Sequence, residues 1–313
     1  MLFRSVGKDI GRSLFCENAA ADYISFLAST LGELPLAGMK VALDCANGAC
    51  CETAPLIFRQ LGAEVYSIHC KPDGANINVN CGSTHLESLQ EYLKSKQLDL
   101  GLAFDGDGDR VLCVDDRGEV VDGDGIMAVC ALALRKKGRL KNNAIVATVM
   151  SNMGLQLFCD KEGLSLHRSQ VGDRYVIQDM KAGGYNLGGE QSGHIIFHDY
   201  NTTGDGILTG LQLLATLKES GQKMSELRKV MESMPQVQLG ARLSSRLKSD
   251  IRENKRIDSA IRKIEQLVEG EGRLLVRPSG TEPLLRVMIE GRDRAVIEGW
   301  ARELVQLIEE ELS

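Results

Sequence analysis

From Met39 onward the chain alternates between two hydrophobic periodicities, and few architectures accept that order. "MKVALDC" (39–45) and "EVYSIHC" (64–70) are short β-type runs. Between them, "TAPLIFRQLG" carries apolar residues at helical spacing and stops at a glycine. "THLESLQEYLKSKQ" (84–97) has helical spacing again, with Thr84 and Glu87 placed as a capping box. "LDLGLAF" (98–104) is a third strand run. Strand, helix, strand, helix, strand implies a doubly wound α/β unit with a parallel sheet. Ligands of such sheets sit off the carboxyl ends of the strands.

Directly after that third strand, "FDGDGDR" puts Asp105, Asp107 and Asp109 into five positions, followed at once by Arg110. Three carboxylates this close repel one another unless a cation lies between them. Two unit charges 4 Å apart interact by about 4 kcal/mol at an effective dielectric of roughly 20. Oxygen-only donors select a hard dication such as Mg²⁺ or Ca²⁺. An EF-hand loop does not fit, because its glycine position is Arg110 and its twelfth position is Asp116. A solvated acidic turn is the plain alternative. Arginine grips phosphate bidentately, so Arg110 points to phosphate chemistry beside the metal.

The alternation then resumes. Residues 126–135 are helical, "AIVATVM" (144–150) is a strand and "MGLQLFCDKEG" a helix. "LSLHRSQV" and "YNLGGE" add strand material, and a helix spans 205–219. The last stretch has a helix over 256–269, strands around "LLVRPSG" and "LLRVMIEG", and a terminal helix over 293–312. The expected organisation is an α/β unit that carries the acidic metal loop (17–117), a second α/β unit (118–232) and a small α+β unit (233–313), with "SMPQVQLG" as the exit into the last.

Composition narrows the function classes. A net charge of −6 argues against nucleic acid. No apolar run approaches the roughly 20 residues of a membrane span, and the N-terminus has no secretory h-region. Nine cysteines without a C-x-x-C pair suggest free thiols of a reducing cytoplasm.

Three further stretches invite chemistry. "VDGDGIMA" (121–128) has the formal glycine spacing of a dinucleotide fingerprint but no acidic residue about 20 positions on, so a turn and helix cap is the better reading. "GGEQSGH" (188–194) places Glu190, Ser192 and His194 at alternate positions, where along one side of an extended segment they would suit sugar hydroxyls or an amine; the plain alternative is a glycine-rich turn. "RPSGTEPLLR" (277–286) has the makings of an anion cradle: Arg277 and Arg286 for charge, Ser279 and Thr281 for hydroxyls, Gly280 for the turn. In "VGDRYV" (171–176), Arg174 is a further phosphate candidate and Asp173 a helix cap.

The order "FDGDGDR", "VGDRY", "GGEQSGH", "RPSGTEPLLRVM", with "VALDCANGA", "MSNMGL" and "TTGDGI", resembles the α-D-phosphohexomutase family over almost the whole chain. That resemblance implies Mg²⁺ on Asp105, Asp107 and Asp109 with Arg110 beside it, sugar recognition by Glu190, Ser192 and His194, and phosphate binding by Arg277, Ser279, Gly280, Thr281 and Arg286. His194 is the candidate general acid or base. The implied reaction moves phosphate between the 6- and 1-positions of a hexosamine phosphate through a phosphoserine and a bisphosphate. "GGEQSGH" leans toward glucosamine over mannose or glucose. The family's Ser-x-Ser-His-Asn-Pro-like loop occurs nowhere in the 313 residues. The resemblance therefore implies that an N-terminal phosphoserine domain is missing, with residues 1–16 a remnant of its junction, 17–117 the metal-binding domain, 118–232 the sugar-recognition domain and 233–313 the phosphate-binding domain. It implies too that this chain alone binds hexosamine phosphate and bisphosphate without turnover, or is a non-catalytic binding remnant. It leaves a homodimer open.

Overall fold

In the computed structural model, residues 11–12, 14–243, 251–278 and 284–312 are described. Ser279, Gly280 and Thr281 lie outside them.

After helix α1 (Ala19–Ser29), the first sheet is built from β1 (Lys40–Asp44), β2 (Glu64–Ile68), β3 (Leu100–Phe104), β4 (Val111–Asp115) and β5 (Val120–Val121). Helices α2 (Cys50–Gln60) and α3 (Glu87–Ser95) provide the crossovers. The strand order is β2-β1-β3-β4-β5. As expected from the alternation, β1 runs parallel to β2 and β3. The acidic stretch then turns the chain back on itself, and β4 and β5 complete the sheet antiparallel. Strand β3 is buried on both faces, which is why it reads as a continuous apolar run.

Helix α3 does not begin where the capping box placed it. Gly82–Thr84 form a 3₁₀ turn, Leu86 occupies the cap position and no side chain caps the helix.

The second sheet has the order β7-β6-β8-β9. Its strands are β6 (Ala144–Thr148), β7 (Ser165–Ser169), β8 (Leu187–Gly189) and β9 (Ile195–Phe197). Strands β7 and β8 flank β6 in parallel, and β9 returns antiparallel. Around it lie α4 (Gly123–Lys136), α5 (Met153–Glu162), α6 (Asp173–Gly183) and α7 (Gly206–Ser220), followed by the short α8 (Met224–Leu227). The turn-and-cap reading of "VDGDGIMA" holds: the Asp122 carboxylate accepts from the Gly125 N–H at 3.0 Å and starts α4. Asp173 opens α6, but Gly172 is the cap residue, and no side-chain hydrogen bond caps it.

The first two sheets share one apolar core that runs from Leu43, Phe58 and Leu102 through Ile126 and Ile145 to Leu211 and Leu214. Burying one such large side chain contributes about 1.5–3 kcal/mol. The C-terminal unit has its own core. There β10 (Gln236–Arg242), β11 (Arg273–Pro278) and β12 (Leu284–Glu290) form an antiparallel sheet in the order β10-β12-β11, covered by α9 (Lys255–Val268) and α10 (Arg294–Leu312). The exit read in "SMPQVQLG" is thus the first part of an edge strand. Among the described residues no helix is long and apolar enough to cross a membrane. All nine cysteines are free.

The C-terminal unit joins the second sheet through polar groups. Arg273 donates to the Val149 carbonyl at 2.8 Å and the Ser151 carbonyl at 2.5 Å, and pairs with the buried Glu290. The other contact of Glu290 is with the Met153 N–H. Asn152 bonds Met234 in both directions, and its N–H donates to Asp124 at 2.7 Å. Asp124 is fully buried, and burial, then the Asp122 and Glu290 charges, push its carboxyl from near 3.8 up to about 7.

A carboxyl raised on folding favours the folded state while protonated, and that stability is lost as pH rises through its unfolded value toward about 7. Asp124→Asn is therefore expected to match the parent near pH 4 and to be more stable at pH 8 by about 1–2 kcal/mol. Thermal melts across that range check it.

Candidate functional site

The acidic loop hangs off the carboxyl end of β3. Its backbone folds around the first carboxylate: Asp105 Oδ1 accepts from the N–H groups of Gly108 and Arg110, both at 3.1 Å. Asp105 is nearly buried, Asp107 is exposed and Asp109 is half-buried. One oxygen of each lies within 4.8 Å of the others. Burial first, then the charges of Asp109 and Asp107, push the Asp105 carboxyl up to about 6. Arg110 stands beside them, with Nε 3.5 Å from Asp105 and 3.6 Å from Asp109.

Asp109 Oδ1 and Arg110 Nε are buried without a hydrogen bond; they face each other as a loose ion pair at 3.6 Å. Buried polar groups held this loosely cost free energy. A carboxylate oxygen with no hydrogen bond, in a three-carboxylate, all-oxygen cluster, fits a hard divalent cation.

The "GGEQSGH" segment reaches this loop, though not as an extended ribbon. Residues 190–193 form the tight turn between β8 and β9, closed by Glu190 N–H to the His194 carbonyl and Gly193 N–H to the Glu190 carbonyl, each at 3.0 Å. The turn is bonded to the residue that follows the acidic loop, Val111 N–H donating to the Gly193 carbonyl at 3.1 Å. It also receives the start of α4, where the Gly123 N–H bonds the Gln191 carbonyl.

Glu190 and Ser192 stay at the tip of the turn. Ser192 Oγ donates to Glu190 Oε2 at 3.4 Å, and Glu190 Oε1 accepts from the Gly172 N–H at 3.1 Å, at the start of α6.

His194 departs from the expectation. It is buried, with Nδ1 3.1 Å from Asp109 Oδ2 and Nε2 accepting from the Gly204 N–H at 3.0 Å. An acceptor at Nε2 puts the proton on Nδ1, so the neutral ring donates to Asp109. Both of its nitrogens are engaged, so His194 holds the Asp109 carboxylate and presents no free nitrogen to a ligand. The turn explains the miss, because it sends residue 194 back toward the core. Gly204 makes the arrangement possible: a Cβ there would lie 2.6 Å from the imidazole. Just beyond it, the Gly206 N–H at the start of α7 donates to the Gly108 carbonyl.

Gln191 also turns away, its amide bonding Asp122 at 3.0 Å, so it does not read a ligand in this arrangement. The Arg174 guanidinium stacks on the Tyr175 ring, 4.4 Å from its centre. Its hydrogen bond goes to the same side chain, so Arg174 joins none of the other candidates.

Arg277 and Arg286 face each other across the β11–β12 pair. Burial and the Arg286 charge hold the Arg277 guanidinium below its usual value. Among the described residues no carboxylate is paired with either. Two facing cations suit a bidentate anion.

Residues 21–118 match the family description phosphoglucomutase/phosphomannomutase, alpha/beta/alpha domain II; residues 122–234 match alpha/beta/alpha domain III, and residues 222–307 the C-terminal domain. The phosphoglucosamine mutase of Acetivibrio thermocellus is 53% identical over 98% of this chain and 68% of its own length. That of Clostridium novyi is 51% identical over 97% and 68%. Aspergillus fumigatus N-acetylphosphoglucosamine mutase, solved in complex with GlcNAc-6P and magnesium, shares the fold with a TM-score of 0.77 at 20% identity, over 95% of this chain and 67% of that one. The chain thus spans about two thirds of the length of these relatives.

Asp107→Asn removes an exposed charge, so it is expected to lower Mg²⁺ or Mn²⁺ affinity about a hundredfold without changing the melting temperature of the metal-free protein. Gly204→Ala pushes the His194 ring off Asp109 and is expected to cost roughly tenfold. Titration calorimetry on each variant checks both.

Proposed function

Because the chain belongs to the phosphoglucomutase/phosphomannomutase family, we propose that it is the metal-binding, sugar-binding and phosphate-binding part of a cytoplasmic phosphoglucosamine mutase, interconverting glucosamine 6-phosphate and glucosamine 1-phosphate. One observation carries this reading. The acidic loop and the Glu190 turn are tied together by His194–Asp109 and Val111–Gly193, so a bound ion and a bound sugar share one site.

Asp105, Asp107 and Asp109 hold Mg²⁺, which when bound supplies positive charge to the oxygens of a phosphoryl group in transfer. Arg110 adds a second cation there. The Glu190 carboxylate, fixed on one oxygen by the Gly172 N–H, keeps the other for the ammonium or a hydroxyl of glucosamine. Ser192 swings from its long bond with Glu190 to a neighbouring hydroxyl. Arg277 and Arg286, with Ser279, Gly280 and Thr281, grip the phosphate that stays on the sugar. The chemistry is one of positioning and charge, and it draws its phosphoryl group from a phosphoserine outside residues 1–313.

The purified 313-residue chain with Mg²⁺ is expected to bind glucosamine 6-phosphate more tightly than glucose or mannose 6-phosphate. Arg286→Ala is expected to weaken that binding about tenfold to a hundredfold. With a sugar-bisphosphate primer the chain is expected to show no mutase turnover. Calorimetry and a coupled assay check both, and normal turnover would place the phosphoryl carrier within these residues.

A further inference from the structure

A second group of metal-donor side chains lies at the same edge of the first sheet, in residues the mutase reading does not use. Asp44 ends β1, His69 directly follows β2, and Cys81 precedes the 3₁₀ turn 82–84. One donor atom from each lies within 4.8 Å of the others. Asp44 and Cys81 have no exposed surface, while the His69 side chain is 31% exposed.

We propose that Asp44, His69 and Cys81 form a zinc site, distinct from the acidic loop and independent of the mutase reading. The donor chemistry decides the metal. One carboxylate oxygen, one imidazole nitrogen and one sulfur suit Zn²⁺ and exclude Mg²⁺, which requires oxygen. The spacing fits as well. Tetrahedral zinc with Zn–N and Zn–O bonds of about 2.0 Å and Zn–S of about 2.3 Å needs its ligand atoms roughly 3.3–3.6 Å apart. His69 Nδ1 already stands 2.9 Å from Asp44 Oδ2, and small shifts bring all three donors to that range.

Burial supplies the second argument. Asp44 is wholly removed from solvent, and its hydrogen bonds are one backbone N–H, from Ala46 at 3.0 Å, and the imidazole. A buried carboxylate with so few partners calls for a positive charge. The backbone of His69 is held at φ 45°, in the left-handed region where His, Asn and Asp are the commonest residues with a β-carbon, and its ring meets Asp44. Cys81 Sγ has the Asn47 amide as a weak partner at 3.9 Å. On binding, the thiol proton leaves to solvent as the sulfur–zinc bond forms. Three protein donors leave the fourth position to water, which enters from the exposed side of His69.

The ion would brace the acidic loop from behind. Residues 45–49 lie between the two sites, and the Ala49 N–H bonds the Gly106 carbonyl at 2.8 Å. Gly48 packs so closely there that a Cβ would stand 2.2 Å from the same oxygen.

Cobalt(II) titration of the 313-residue chain in excess Mg²⁺ tests the assignment. The expected result is one equivalent of Co²⁺ bound with a thiolate charge-transfer band and tetrahedral d–d bands, displaced by Zn²⁺. His69→Asn keeps a residue tolerant of positive φ, so its fold is expected to persist while metal affinity falls about a hundredfold. Cys81→Ser is expected to lose the charge-transfer band, and Asp107→Asn to keep it. Zn²⁺ is expected to raise the melting temperature of the parent and not of His69→Asn. Absence of a thiolate band in the parent, or its persistence in Cys81→Ser, would overturn the proposal.

Discussion

The hydrogen bond from His194 Nδ1 to Asp109 Oδ2 joins the acidic loop to the turn that carries Glu190. It crosses from the second sheet to the loop that leaves the first, and it is anchored at its far end by the Gly204 N–H. The bond acts on a carboxylate whose other oxygen has no hydrogen bond and only the Arg110 guanidinium 3.6 Å away, so it aims that oxygen without saturating it. Outer partners of this kind fix ligand orientation in metal sites and are costly to remove. The same link places Glu190 and Ser192 at a set distance from the three carboxylates, because the turn that carries them is also bonded to Val111. One small piece of backbone thus sets the three carboxylates and the Glu190 turn relative to each other.

The two α/β units cannot be treated as separate bodies. Their sheets share an apolar core, and α7 starts under the acidic loop while packing against side chains from both. Tyr23 of α1 reaches the Asp205 cap of that helix at 2.9 Å and fastens the beginning of the described chain to it. The C-terminal unit differs. Its core is its own, and it meets the second sheet through Arg273, Glu290, Asn152 and Asp124. Directional bonds among buried groups specify one docking geometry and penalise partial loss, since removing one partner strands a charge.

Much of this was legible before any coordinates. The α/β order, the parallel β1–β3 core and the Asp122 cap of α4 follow from local spacing and turn chemistry, which are properties of short stretches. Less visible were features decided by distant partners. Antiparallel β4 and β9 look like any other apolar run, because strand direction is not encoded in alternation. Helix α6 showed only its start, through Asp173 read as a cap, one residue past the true cap at Gly172. At α3 a 3₁₀ turn displaced the Thr84 capping box, a tertiary choice made where Gly82 passes close to Ala46 and Phe104. Within the site the three aspartates announced themselves through their repulsion. The role of His194 did not, because alternation assumes an extended strand and the chain turns there. Gly204 held a clue in retrospect, since a glycine just ahead of a helix cap leaves room for a ring.

The facing arginines have a consequence for the C-terminal hairpin. Arg277 and Arg286 are register partners, so the same cross-strand pairing that builds the sheet also presses two like charges together. An anion arriving between them converts that penalty into attraction and tightens the end of the ladder. Grip on such an anion and closure of the strands at this end would then be a single cooperative quantity, the anion serving as the clasp of the hairpin.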